Sequence, residues 1–180
     1  MNESADSIVL RAAKFAHQSH EGQRRKYNDA PFIMHPIRVA GRVATLPAST
    51  DVMVAAAFLH DVVEDTPVEL AEIVDRFGSD VALLVEHLTE PSQEMVAPRA
   101  ERKAIDLAYM KQADPRAKVI RLVDRIDNLR DMNGAADDKL RRFVEESQQL
   151  VAEIGDACCE LQAEANSLFQ QLLARLEKDS

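Results

Sequence analysis

The stretch AAAFLHDVVEDT, residues 55–66, joins the most apolar run of the chain to a cluster of ionisable groups. Residues 52–59 would be apolar on nearly all sides of a helix, which is typical of a helix buried within a bundle. Four ionisable residues follow at once: His60, Asp61, Glu64 and Asp65. Burying such groups is costly unless they are paired or bound to a metal. A solvated loop after the helix is the alternative, and spacing alone leaves both open.

Outward from this stretch, apolar residues recur at helical spacing along almost the whole chain, and no segment shows the alternation of a strand. We therefore predict an all-α helical bundle that forms a single domain over residues 1–180. The core that carries the motifs covers about residues 8–132, and C-terminal helices cover about 137–178. The predicted helices are 5–20, 36–46, 52–59, 67–77, 79–88, 99–112, 115–132 and 137–178, the last with a break near Gly155.

Local signals place several helix ends. Pro36 suits the first position of the second helix, where a missing N–H costs nothing. Thr66-Pro67-Val68-Glu69 has the pattern of a capping box, and Gly78 suits the end of the helix that follows. Asp114-Pro115 predicts the start of another helix, and Asn133-Gly134 predicts its end.

Charge along the chain restricts the class of ligand. The net charge of −9 argues against a broad nucleic-acid-binding face, which needs Lys and Arg to neutralise phosphates. Residues 1–45 hold 7 basic against 4 acidic side chains, and residues 98–142 hold 12 against 8, whereas the segment between them is acidic. An anionic small molecule held between the two basic stretches fits this distribution, although solvated helix faces also produce it.

Two adjacent cysteines, Cys158 and Cys159, lie in a helical stretch, where neighbours do not reach disulfide geometry. The N-terminus lacks the basic and apolar regions of a secretory signal, and the longest apolar run is too short to span a bilayer. We expect a cytoplasmic protein without membrane or nucleic-acid partners. A leucine stripe near the C-terminus would serve packing on the domain or on a second copy, so a homo-oligomer stays open.

A second motif, VIRLVDRIDNLRDM at residues 119–132, carries acid and amide groups at three- and four-residue spacing. These groups are Asp124, Asp127, Asn128 and Asp131. A solvated acidic face is the alternative to one wall of a polar cleft. Taken with His35, His60 and Asp61, Asp124 completes a set of two histidines and two carboxylates from three helices. Such a set suits Mn²⁺, Fe²⁺, Zn²⁺ or Mg²⁺, and the absence of thiolates argues against structural zinc.

The order His, His-Asp, Asp resembles the HD superfamily of metal-dependent phosphohydrolases. AHQSHEGQRRKYNDAPFIMHPIRVA at 16–40, the two motifs above and the FG of DRFGSDVALLVEHLTE at 75–90 extend the likeness. Over about residues 8–132 the chain resembles the hydrolase domain of RelA/SpoT homologues. Because the chain ends near residue 180, we expect the stand-alone form, a small alarmone hydrolase similar to the metazoan SpoT homologue.

This resemblance implies an HD-type fold and a 3′-pyrophosphohydrolase that uses Mn²⁺, with other divalent metals also possible. Its small-molecule substrate would be guanosine 3′,5′-bis(diphosphate) or the pentaphosphate relative, and its products GDP or GTP and pyrophosphate. By the family pattern the metal ligands are His35, His60, Asp61 and Asp124. The same pattern implies that Glu64 and Asp65 position and activate the attacking water. It also implies that Arg25 and Lys26 lie near the guanine base and that Asn128 contacts the nucleoside.

Three positions depart from the family pattern: Phe32 replaces the usual tyrosine, Tyr27 replaces a small or polar residue, and Asp131 replaces a common threonine. These changes put the identity of the substrate in more doubt than catalysis. Two other functions therefore stay open. One is a phosphatase for NADPH or another nucleotide with a phosphate on its ribose, and the other is a nucleotide sensor without turnover.

Overall fold

The computed structural model describes residues 6–132 and 135–178. Over these residues the chain is helical apart from loops and one isolated bridge between Arg24 and Pro31, which confirms the predicted all-α class. A 3₁₀ turn, Gly155–Ala157, separates the last two helices. The α-helices are α1 (Ile8–Ser19), α2 (Met34–Ala44), α3 (Asp51–Leu59), α4 (Val62–Asp65), α5 (Leu70–Phe77), α6 (Ser79–Leu88), α7 (Arg99–Lys111), α8 (Pro115–Asp131), α9 (Asp137–Ile154) and α10 (Cys159–Lys178).

Helix α3 lies at the centre of the N-terminal part, as its apolar composition predicts. Its residues Ala55, Ala56, Ala57 and Leu59 are fully buried, and the helix packs against α1, α2 and α6. The small alanine side chains allow the neighbouring helices to approach closely. At its start, the Thr50 hydroxyl accepts a hydrogen bond from the backbone N–H of Met53, which satisfies one free donor of the first turn.

Helix α8 is the second central element, in contact with α2, α3, α6, α9 and α10. Asp114 precedes it and accepts a 2.8 Å hydrogen bond from the N–H of Arg116, with Pro115 at the first helical position as predicted. Because α3 and α8 both run through the core, the end of α3 at His60 meets the middle of α8 at Asp124. This meeting point positions the site.

The C-terminal helices α9 and α10 pack on α8, and Leu161 and Leu176 of α10 are buried there. The break predicted near Gly155 is confirmed by the 3₁₀ turn. No helix in the described parts of the chain is both long and apolar enough to cross a membrane. A single domain over residues 1–180 stays a prediction.

The helix boundaries correct the sequence-based ones at four places. Helix α1 begins at Ile8 rather than near residue 5, because the Ser7 hydroxyl accepts a hydrogen bond from the N–H of Leu10 and caps the first turn. Helix α2 begins at Met34 rather than Pro36, because the N–H groups of Met34 and His35 already donate to the carbonyls of Pro31 and Phe32. Pro36 therefore occupies the third helical position, where an N–H also has no partner within the helix. Residues 62–65 form the short helix α4, which was not predicted.

The capping box at residues 66–69 is also wrong. The Thr66 hydroxyl accepts from the N–H of Val68 but donates to the carbonyl of Val62, so it closes α4, and α5 begins only at Leu70. Gly78 ends α5 as predicted. Asn133 and Gly134, predicted to end α8, and Ala5, predicted to begin α1, lie outside the described residues.

Candidate active site

Four predicted metal ligands meet where α2, the end of α3 and α8 converge. The Nε2 atoms of His35 and His60 lie 3.2 Å apart. Asp61 Oδ2 lies 3.5 Å from the first of these nitrogens and 3.2 Å from the second. Asp124 Oδ1 lies 3.2 Å and 3.6 Å from the same two atoms. The donor atoms of His35, His60 and Asp61 all lie within 4.8 Å of one another, and Asp124 Oδ1 adjoins both histidine nitrogens.

Both imidazole rings are held so that Nε2 faces these two carboxylates. His35 Nδ1 lies 2.6 Å from Asp127 Oδ2, and His60 Nδ1 lies 2.8 Å from the carbonyl oxygen of Ala57. Since these acceptors require Nδ1 to donate, the neutral rings present lone pairs at Nε2. With the rings neutral, two lone pairs and two carboxylates are directed at one point, an arrangement that requires either protons on the Nε2 atoms or a cation between the four groups. The donor set thus fits a divalent metal.

Electrostatics at the four groups point in the same direction. Burial lowers the pKa of His60, but Asp61 and Asp124 outweigh burial and raise it well above its ordinary value. Burial likewise raises the pKa of Asp124, yet hydrogen bonds from His35 and His60 bring it well below its ordinary value. The carboxylates therefore stay ionised in the interior, and a positive charge is favoured between them.

The predicted acid pair lies beside this cluster on α4. Glu64 is half-buried, and burial together with the nearby charge of Glu90 raises its pKa to about 7. Asp65 is more exposed, and partial burial beside Asp61 raises its pKa to about 6. Carboxylates with a pKa near neutrality are suited to accepting and releasing a proton at neutral pH.

Two of the three predicted substrate-binding residues touch each other. Arg25 Nη2 donates to Asn128 Oδ1 at 2.7 Å, and Asn128 Nδ2 donates to Asp124 Oδ1 at 2.5 Å. The guanidinium of Arg25 also lies 5.5 Å from the centre of the Phe32 ring. Lys26 is exposed and lines the same cavity without joining this chain of contacts.

A cavity of about 460 Å³ opens in front of the cluster, a size typical of small-molecule sites. Its far wall is basic and comes from α7, α8 and α9; the sequence motifs singled out α8 but not α7 or α9. The charge excess of residues 98–142 was the available signal. The basic residues on this wall are Arg99, Lys103, Arg121, Arg125, Lys139 and Arg142.

The three unusual positions all lie at the cavity. Phe32 stacks against His20 at 4.5 Å and supports Arg25, and Tyr27 lines the wall beside it. Asp131 accepts a 2.9 Å hydrogen bond from Arg25 Nε. The aromatic ring and the extra carboxylate therefore fix the orientation of Arg25.

Comparison with known proteins places this geometry among nucleotide hydrolases. Residues 12–157 match the HD domain family. The chain is 37% identical over 171 residues to human guanosine-3′,5′-bis(diphosphate) 3′-pyrophosphohydrolase MESH1, covering 91% of this chain and 93% of that protein. It is 36% identical over 152 residues to a probable enzyme of the same name from Synechocystis, of which it spans only 20%. A solved metazoan SpoT orthologue that hydrolyses ppGpp superposes with a TM-score of 0.83 at 27% identity, covering 92% of this chain and 96% of that one.

Proposed function

The chain belongs to the HD domain family and, within it, to the guanosine-3′,5′-bis(diphosphate) 3′-pyrophosphohydrolases, and we propose that it catalyses this hydrolysis with a divalent metal. The substrates are guanosine 3′,5′-bis(diphosphate) and its pentaphosphate relative. The products are GDP or GTP and pyrophosphate.

One observation carries the proposal: Asp61, Asp124, the acid pair and the basic wall line a single cavity, and the Nε2 atoms of His35 and His60 lie within 3.6 Å of those two carboxylates. A nucleotide with two diphosphate groups carries several negative charges, and basic side chains lie on both sides of the cavity, at Arg25 on one and Arg99 on the other. Arginine and lysine bind phosphate oxygens well, the former with two parallel hydrogen bonds.

We assign His35, His60, Asp61 and Asp124 as ligands of the metal, and Mn²⁺ as the ion. Two imidazoles and two carboxylates suit Mn²⁺ among the divalent ions, and thiolates are not part of the set. Such an ion, when bound, offsets charge on the transferred phosphoryl group and lowers the pKa of a water.

Glu64 and Asp65 then take the proton of the attacking water, for which their raised pKa values near neutrality suit them. The water oxygen joins the phosphorus next to the ribose 3′-oxygen, and the bond between that phosphorus and the 3′-oxygen breaks. The 3′-oxygen gains a proton, and pyrophosphate leaves.

Arg25, Lys26 and Asn128 bind the nucleoside in this proposal. The Arg25 guanidinium lies 5.5 Å from the centre of the Phe32 ring and can stack on a purine base, while Lys26 contributes a compact positive charge. Asn128 joins Arg25 to the ligand Asp124, so the nucleoside site and the metal site share one hydrogen-bonded chain. We also infer a cytoplasmic location, in which the free thiols of Cys158 and Cys159 stay reduced.

The deciding experiment is product analysis of the purified protein with Mn²⁺ and guanosine tetraphosphate, run beside NADPH and a chelated control. Release of GDP and pyrophosphate that stops on chelation supports the proposal. Phosphate released from NADPH alone would instead support the phosphatase hypothesis, and no turnover of either substrate would favour the nucleotide sensor. The double variant His60→Ala, Asp61→Ala should lose metal and turnover together, and unchanged hydrolysis would exclude the metal mechanism.

A further inference from the structure

Arg38 lies one helical turn after His35 on α2 and binds two carboxylates of α8 with one guanidinium group. Its Nε donates to Asp127 Oδ1 at 2.7 Å, and its Nη2 donates to Asp127 Oδ2 at 2.7 Å. The same Nη2 lies 2.9 Å from Asp131 Oδ2. The planar fork of arginine suits this contact, which a lysine cannot reproduce.

The first carboxylate belongs to the metal site. Asp127 Oδ2 also accepts from His35 Nδ1 at 2.6 Å, so one oxygen joins the imidazole to the guanidinium. A carboxylate in this position fixes the tautomer and the ring orientation of a metal-binding histidine. The Asp127 side chain is only 10% exposed, so its negative charge depends on these partners.

The second carboxylate belongs to the nucleoside site. Asp131 Oδ2 accepts from Arg25 Nε at 2.9 Å as well as from Arg38, and Arg25 continues to Asn128 and Asp124. The hydrogen bonds thus form a chain that begins at one predicted metal ligand, His35, passes through Arg38, and ends at another, Asp124.

We propose that Arg38 is a positioning residue that sets His35 for metal binding and Arg25 for nucleoside binding at the same time; the second part rests on the proposed function. Asp127 and Asp131 are four residues apart on α8, where like charges repel. Arg38 holds them together from α2. Without it, Arg25 is the close cationic partner left to Asp131 among the described residues, and His35 is the one left to Asp127.

Arg38 itself does not line the active-site cavity. It borders a separate cavity of about 340 Å³ on the other face of α8, together with Arg42, Arg130 and Glu164. An effect of Arg38 on metal or substrate must therefore pass through Asp127 and Asp131, which distinguishes positioning from direct contact.

Arg42 provides a matched control one turn further along α2. It pairs with Glu160 at 2.6 Å and Glu164 at 3.0 Å, and its side chain is 31% exposed against 37% for Arg38. Arg38→Gln and Arg42→Gln each remove one half-exposed arginine bound to two carboxylates. Only the first loses a contact with the site.

The test measures Mn²⁺ affinity by titration of the metal-free protein and, separately, KM and kcat for guanosine tetraphosphate. Arg38→Gln should weaken Mn²⁺ binding about tenfold and raise KM severalfold, whereas Arg42→Gln should leave both within twofold. Arg38→Lys, which keeps the charge without the fork, should give intermediate values. Unchanged Mn²⁺ affinity and KM in Arg38→Gln, or equal effects in the two glutamine variants, would overturn the proposal.

A double-mutant cycle tests the link to Arg25. Asp131→Asn and Arg38→Gln should affect KM less together than the sum of their single effects, because both break the same contact, and additive effects would contradict the link. If the wild-type protein hydrolyses no guanosine tetraphosphate, the proposed function fails. The Mn²⁺ titration then still decides whether Arg38 positions His35.

Discussion

The side-chain amide of Gln23 donates a 2.8 Å hydrogen bond to the backbone carbonyl of Asp65. From the opposite side, the amide of Gln93 donates to the carbonyl of Glu64 at 2.6 Å. Helix α4 has only four residues, so its carbonyls lack partners within the helix. Two loops, one carrying Arg25 and the other leading to the basic wall, therefore hold the backbone of the proposed acid pair.

Gln23→Leu should lower kcat by up to about fivefold, because one lost hydrogen bond of about 1 kcal/mol loosens the turn that carries Asp65. Mn²⁺ affinity should stay within twofold, since Gln23 contacts none of the four proposed ligands. Steady-state kinetics and metal titration measure the two effects. Gln171→Leu is the control, because Gln171 donates to Ser167 on the surface of α10 and does not line the active-site cavity. A kcat equal to that of the control would contradict the role of Gln23.

Glu64→Gln should reduce kcat by about 10² or more while Mn²⁺ still binds, because the amide cannot accept the water proton. The fold should survive, since glutamine keeps the shape of the side chain and can accept the 3.2 Å hydrogen bond from the N–H of Glu90. Activity assays beside metal titration check the result. Turnover near the wild-type rate would remove Glu64 from the mechanism.

Glu64→Gln should lower kcat but raise the free energy of unfolding of the metal-free protein at high pH. The pKa of Glu64 rises from 4.5 to about 7 on folding, so the unfolded state loses this proton first as pH increases. The free energy of unfolding of the metal-free protein therefore falls between about pH 4.5 and 7, by up to about 3 kcal/mol for this group. Glu64→Gln removes this pH-dependent fall in the free energy of unfolding.

Urea unfolding of the metal-free proteins measures this difference. The variant should exceed the wild type in stability near pH 8 and approach it near pH 4.5, where the carboxyl group is protonated in the folded state and half protonated in the unfolded one. A variant less stable than the wild type near pH 8 would show that the Glu64 carboxylate stabilises the fold.

The sequence predicted the parts of the site that depend on helix periodicity. Asp124 and Asn128 share a face because they are four residues apart on α8, and the structure brings Asp124 to His35 and His60 and joins Asn128 to Asp124. Their roles as ligands and substrate contacts stay predictions. The burial of α3 followed in the same way from its uniformly apolar composition.

Other parts depend on how helices dock, and no local pattern records that. The basic wall needs α7 and α9 to face the cavity, and the pairing of Arg38 with Asp127 needs a particular register of α2 against α8. The wrong prediction at Thr66 has a local cause. Its hydroxyl donates to the carbonyl of Val62 because α4 ends at this point, and such a helix end uses the same residue types as a capping box.

Mn²⁺ should raise the melting temperature of the wild-type protein, because an ion that binds only the folded state stabilises it by about 2.7 kcal/mol at a hundredfold excess over Kd. In the proposed site the ion lies among the donor atoms of His35, His60, Asp61 and Asp124. Those of the first three lie within 4.8 Å of one another, and Asp124 Oδ1 lies 3.2 Å from His35 Nε2. Thermal scans with and without Mn²⁺ measure the shift. Asp124→Asn should lose most of this rise in melting temperature, and an equal rise in that variant would mean that the ion binds elsewhere.

Two glycines should respond to alanine with opposite signs. Gly78 joins α5 to α6 at φ +86° and ψ 166°, a conformation nearly restricted to glycine, whereas Gly41 lies in α2 with open space around the position of a Cβ atom. Gly78→Ala should therefore lower the free energy of unfolding by about 1–3 kcal/mol. Gly41→Ala should raise it by about 0.5–1 kcal/mol, because alanine loses less backbone freedom on folding.

Urea unfolding of the metal-free variants compares the two signs directly. Neither glycine lines the active-site cavity, so kcat and KM below the melting temperature should match the wild type in both. A stabilising Gly78→Ala would mean that the junction of α5 and α6 adopts another backbone conformation in solution. A destabilising Gly41→Ala would mean that the exposed face of α2 is covered, since added bulk there costs stability only against a neighbour.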